Sequence, residues 1–98
     1  MVHALKVQQE FYEAVRNATK KFEVRKKDRN FKLGDYLALN ELDCTNTEYT
    51  GRSIIVKVTY ILDDETYCKK DFVVLGFEVC RIQAINETDT LPKIEIGG

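Results

Sequence analysis

The order of apolar periodicities along this 98-residue chain predicts an α+β fold: a small, strongly curved mixed or antiparallel sheet closed into a β-barrel, with one N-terminal helix packed at its end. Three observations carry this. Only one stretch, near the N-terminus, repeats its apolar residues at helical spacing. Four or five β-rich segments then follow without intervening helices, which argues against a doubly wound parallel sheet. A glycine, Gly76, interrupts the last long strand, where a curved sheet would bend or bulge.

The elements follow in order. His3 to Val7 forms a short strand. From Gln8 the period changes, and Val7, Phe11, Ala14, Val15 and Ala18 fall on one side of a helix running to Asn17, with Gln9, Glu10, Glu13 and Arg16 opposite. Glu10 early and Arg16 late suit the helix dipole, and Asn17 is an expected left-handed stop. Lys21 to Arg25 is the next strand, in which Phe22 and Val24 alternate with ions and are expected to face the core. A polar loop spans Lys26 to Lys32, with Phe31 and Leu33 anchoring its exit. Gly34-Asp35 signals a turn into a strand from Tyr36 to Glu41. Residues 42–51 read as a hairpin loop, Ser53 to Leu62 as the longest β-branched strand, Leu62 to Asp71 as a loop, and Phe72 to Ile82 as the last long strand. Residues 1–85 thus make one domain. Residues 86–98 are expected to be a tail, either an edge strand or disordered.

Composition narrows the function classes. No apolar run reaches the roughly 20 residues that span a bilayer, and the N-terminus lacks a secretory apolar segment, so a cytoplasmic location without membrane contact is expected. Cys44, Cys68 and Cys80 are odd in number and include no CxxC pair, a pattern that points to neither a disulfide framework nor a zinc site. Asp63, Asp64 and Glu65 read as a solvated loop. No metal and no cofactor are expected.

Charge is the informative feature. The protein is near neutral, with a net charge of −1, yet Arg16 to Lys32 holds eight basic and two acidic residues. Within it, Glu23 and Arg25 share one strand face and Lys20 sits at the helix–strand junction, able to fold over them. A carboxylate between two cations stays ionised and can orient a donor such as a nucleobase amino group. Arg25 and Arg29 suit phosphate oxygens. Lys21, Lys26, Lys27 and Lys32 would add counterion release on meeting a nucleic acid. Tyr60 is the tyrosine expected in the cleft, where it could stack on a base, since most tyrosines in so small a domain pack at the core's edge. His3 reads as a packing residue at a strand start, and Asp28 and Asp35 as turn formers.

At this stretch the chain resembles the ASCH-like branch of the PUA superfamily, and in particular its small bacterial and phage members. The resemblance rests on His3, Leu5 and Lys6; Phe11, Ala14 and Val15; Lys20, Phe22, Glu23 and Arg25; Asp28, Arg29, Phe31, Gly34, Asp35 and Leu37; and Tyr49-Thr50-Gly51-Arg52 followed by Val58 to Leu62. It covers about residues 3–80. It implies a PUA-like barrel with a cleft lined by the motif lysine, glutamate and arginine, and a role in RNA binding or modified-nucleoside chemistry. Some relatives hydrolyse amides on acetylated cytidine with the motif lysine and a threonine; Glu23 stands in that threonine's place here. Ala18 likewise replaces the usual glycine two residues before the lysine, and Asn17 is expected to supply the positive φ instead.

The leading expectation is an RNA- or nucleotide-binding domain using Lys20, Glu23, Arg25 and Arg29. The first alternative is a small amidohydrolase-type enzyme acting on a modified nucleoside, with Lys20 as base or nucleophile activator and Glu23 as its partner. The second is a phage or bacterial factor that binds a protein partner without catalysis.

Overall fold

A computed structural model describes residues 1–83, and the expected tail at 86–98 lies outside the described residues. Six elements occur in the order β1 (Val2–Val7), α1 (Gln9–Arg16), β2 (Phe22–Lys26), β3 (Tyr36–Leu42), β4 (Tyr49–Leu62) and β5 (Phe72–Gln83). Every segment read from the sequence as a helix or strand in this range is present.

The strands form one mixed sheet in the order β1-β3-β4-β5-β2, with β1 parallel to β3 and the other pairs antiparallel. The ladder between β4 and β5 shifts register at Ile55/Val56 and again at Val58/Tyr60, the second shift falling opposite Gly76. Extra residues in one strand of a pair increase twist and bend it. The sheet therefore curls into a five-stranded half-barrel rather than a closed ladder, and β1 and β2 are its two edges. Inward residues of all the strands except β2, among them Leu5, Leu37, Leu39, Ile54, Val56, Leu75 and Phe77, form the core, and α1 closes one end with Tyr12 and Val15.

Side chains cross the seam where the ladder is missing. Arg25 on β2 donates from Nη2 to the carbonyl of Lys6 on β1 at 2.5 Å, and Arg29 donates from Nη1 to that of Ala4 at 3.4 Å. Alternate carbonyls of a strand point to one side. Two guanidinium groups thus occupy positions on the β1 edge that a neighbouring strand would otherwise fill.

Several sequence expectations are corrected. Phe22 and Val24 are 45% and 50% exposed, whereas Glu23 is only 4% exposed, so β2 presents the opposite face to the interior. The inner side of this edge strand meets the seam rather than apolar core, and two cations offset the desolvation of Glu23. On α1 Val15 is buried as expected, but Tyr12 takes the buried place expected of Phe11, which is 40% exposed. The Tyr12 ring is covered by the Arg52 guanidinium, 4.8 Å from its centroid. Leu33, Tyr49 and Tyr67 are exposed rather than anchored, while Phe31 does pack on the core.

Tyr49-Thr50-Gly51 belongs to β4 and not to a loop. The turn is Asp43–Glu48, where Asp43 Oδ1 accepts from the Thr45 and Thr47 amides at 3.1 and 3.2 Å. Gly34 takes φ +85°, as the Gly34-Asp35 turn requires. Asp35 does more than turn the chain. It is buried, and its Oδ2 accepts from His3 Nε2 at 2.8 Å and from the Lys32 amide at 3.0 Å. Ala18, not Asn17, adopts the left-handed conformation, with φ +68° against −90°.

Candidate functional site

The site begins with the way α1 ends. Ala18 N–H donates to the Val15 carbonyl at 3.1 Å and Thr19 N–H to that of Ala14 at 2.9 Å, the paired bonds of a Schellman motif. The Ala14 carbonyl also accepts from the backbone N–H of Lys20 at 2.9 Å. Lys20 is thus fixed to the helix terminus before β2 starts, which aims its side chain back across the seam.

There Lys20 Nζ donates to Glu23 Oε1 at 2.5 Å, and Arg25 Nε donates to Glu23 Oε2 at 3.0 Å. The Lys20 ammonium also lies 5.3 Å from the Phe11 ring centroid and 5.2 Å from that of Phe22. A cleft of about 410 Å³ opens over this group, lined by Lys6, Val7 and Gln8 at the end of β1, Phe11 of α1, and Lys20 with Phe22–Arg25. Its polar residues centre on Glu23, and its walls are the half-exposed Phe11, Phe22 and Val24.

The chemistry of this arrangement is specific. Each Glu23 oxygen takes one charge-assisted bond and keeps further lone-pair capacity, while the ammonium and guanidinium retain unused N–H donors. Two cations against one carboxylate, with Lys6 on the rim, leave the cleft net positive. Such a surface presents both donors and an acceptor beside aromatic faces. It is ill suited to a metal ion, since the flanking cations already neutralise Glu23, its one carboxylate among the described residues. Among the described residues no cluster of three or more His, Cys, Asp or Glu has metal-binding proximity.

The structure brings Lys20, Glu23 and Arg25 together and places the remaining predicted residues elsewhere. Arg29 lies beside Asp28 at 3.6 Å and lines a separate hollow of about 90 Å³ with Lys27, Phe31 and Ile61. Lys27 pairs with Asp63 at 2.9 Å, and that hydrogen bond raises its pKa. Lys21, Lys26 and Lys32 are exposed, with Lys21 and Lys26 at opposite ends of β2. Tyr60 is exposed and lies on the outer face of the sheet, not in the cleft. Sequence reasoning missed Lys6, Gln8, Phe11 and Phe22 as cleft residues. An aromatic residue in a periodic pattern reads as core, and only the edge position of β2 reveals otherwise.

A second charged group lies at the helix-plugged end. Glu41, 1% exposed, accepts from Thr50 Oγ1 at 2.7 Å and lies 3.6 Å from Arg52, whose Nη2 reaches Glu13 at 3.1 Å. Burial disfavours the Arg52 charge, but Tyr12, Glu41 and Glu13 outweigh it and hold the guanidinium pKa above its ordinary value. The three cysteines are free, with Cys44 exposed, Cys68 partly covered and Cys80 buried; burial raises the Cys80 thiol.

The half-barrel and its seam cleft define a small, mostly β module with one short helix. A family profile matches residues 2–77, and the chain belongs to that family, described as a domain of unknown function, DUF3850. It is also similar to an uncharacterised 12.9 kDa protein in the GpA 3′ region of Escherichia phage P2, at 32% identity over 74 residues, 76% of this chain. The chain spans 65% of that relative's length. No helix among the described residues is long and apolar enough to cross a membrane.

Proposed function

We propose that this protein is a PUA-like RNA- or nucleotide-binding module of the cytoplasm, and that the seam cleft is where the ligand sits. The observation that carries the reading is Glu23: a carboxylate 4% exposed, held from both sides by Lys20 and Arg25, at an open cleft with aromatic walls. A surface that only attracted phosphate would gain nothing from a buried acid at its centre. A nucleobase would use it, because an exocyclic amino group donates to the carboxylate while ring acceptors face the two cations. The cleft volume falls within the range of sites for ligands of nucleoside size.

The test is equilibrium binding of nucleoside monophosphates and of labelled single-stranded RNA at low salt. Lys20→Ala is expected to weaken both about tenfold or more, the loss of a charge-assisted contact. Glu23→Gln is expected to weaken adenosine and cytidine monophosphates more than uridine monophosphate, since only the first two carry the amino group. Circular dichroism verifies that both variants fold. Wild-type protein that binds neither probe at low salt rules the reading out.

A further inference from the structure

The outer face of the sheet carries a second aromatic feature that is continuous with the cleft. Phe22 on β2 and Tyr60 on β4 both pair with Gly76 of β5, so the three residues form one row across three strands. Directly paired residues share a sheet face. A Cβ built at Gly76 would lie 3.4 Å from the Tyr60 Cβ, which puts the Tyr60 side chain on that same outer side. Both residues are open to solvent in part, Phe22 at 45% and Tyr60 at 64% exposure. Adjacent strands are about 4.8 Å apart, so the two aromatic residues stand about 10 Å apart across a strip without a side chain, room for one planar ring between them.

The next row is apolar, Val24, Val74 and Leu62, and the one after it pairs Lys26 with Phe72, over whose ring the Lys69 ammonium lies at 5.4 Å. Lys21 is exposed beside the first row. Glu78, an acid on β5, pairs in register with Lys57. The strip is therefore aromatic and bordered by Lys21, Lys26 and Lys69, with Asp71 exposed at its far end. Phe22 belongs to it and to the cleft at once, with Lys20 over its ring.

From this row we propose that the ligand is a single-stranded polynucleotide that continues beyond the cleft, with the nucleotide next to the cleft-bound one stacking in the Phe22–Gly76–Tyr60 trough. The inference rests on the cleft reading for its first nucleotide. Exposed aromatics on a sheet with lysines at the border match a chain of stacked bases and phosphates, and the Gly76 gap gives the second base its place.

Fluorescence anisotropy with fluorescein-labelled oligouridylate and oligoadenylate of about ten nucleotides tests this, beside binding of the corresponding monophosphates. Tyr60→Ala is expected to weaken the oligomers about 5- to 100-fold, the range for loss of one stacked base, and to leave the monophosphates unchanged. Gly76→Val keeps both rings and favours a strand, yet fills the trough, and should reproduce that loss. Oligomer affinity equal to wild type in both variants overturns the platform. So does a dimer in sedimentation that Tyr60→Ala dissolves, which would assign the face to a second copy of the chain. Tyr60-dependent oligomer binding without any monophosphate binding would support the platform and overturn the cleft reading instead.

Discussion

The guanidinium of Arg25 joins two strand edges that are not hydrogen-bonded to each other: its Nη2 donates to the Lys6 carbonyl on β1 while its Nε holds Glu23 on its own strand. One side chain therefore supplies part of the barrel's missing ladder and half of the counter-charge for a buried acid. Arg25→Ala is expected to cost about 2–3 kcal/mol in a urea melt, less than a fully buried pair because the arginine is partly exposed. Arg25→Lys should recover little of it, since one ammonium cannot reach both partners with a fork. Equal stability of the lysine variant and wild type would show that the seam needs only charge.

Arg52 has a different kind of partner. Glu41 is almost fully enclosed, with Thr50 and Arg52 beside Oε1, while Oε2 has no hydrogen-bond partner among the described residues. Removing the cation leaves that carboxylate uncompensated and takes the guanidinium off the Tyr12 ring, so Arg52→Met is expected to destabilise by about 3 kcal/mol. Glu41→Gln alone should cost less. The double variant should be more stable than the sum of the two predicts, and a double-mutant cycle measures that coupling. Strict additivity would mean that the pair contributes nothing as a pair.

These two networks show what the sequence can and cannot disclose. The strands, the helix and the mixed curved sheet were legible because β-branched runs, one helical period and the glycine turns are local signals. The charged trio was legible too, since Glu23 and Arg25 are two residues apart on a strand and Lys20 precedes them at a junction. The inward face of β2 was not. Alternation says that Phe22 and Glu23 face opposite ways, but not which way is in, and an edge strand beside a seam inverts the usual answer. The neutralisation of Lys27 by Asp63 and the shift of Arg29 onto the β1 edge depend on loops brought together across the fold. No local pattern records those contacts.

Ala18 stands where the C′ residue of a Schellman motif needs positive φ, and it pays a steric penalty of about 1–2 kcal/mol to be there. Ala18→Gly removes the clash while adding backbone entropy to the unfolded chain, and the balance favours the variant by about 0.5–1 kcal/mol. The expected outcome is a melting temperature several degrees higher with ligand affinity unchanged or slightly improved, because the same turn positions Lys20. Ala18→Val, with a β-branched side chain at the same φ, should move the melting temperature the other way. A glycine variant no more stable than wild type would mean that the turn relaxes its strain elsewhere.

His3 and Asp35 set the response to acid. The hydrogen bond from His3 lowers the Asp35 pKa, against the upward push of burial, and the Lys32 amide lowers it further. A carboxylate whose folded pKa lies below its unfolded one stabilises the fold above the unfolded value, near 3.9, and loses that contribution as pH falls through the folded value. The Asp35 contribution should therefore be fully present at neutral pH and should decline below about pH 4. Asp35→Asn cannot ionise, so its melting temperature should be lower than wild type at pH 7 while its acid limb is flatter, and the two curves should converge toward pH 2–3. His3→Gln retains a donor but a weaker one, and should shift the wild-type acid limb upward in pH. Parallel curves for wild type and Asp35→Asn across the acid range would place the acid sensitivity in other carboxylates, with buried Glu23 and Glu41 the next to substitute.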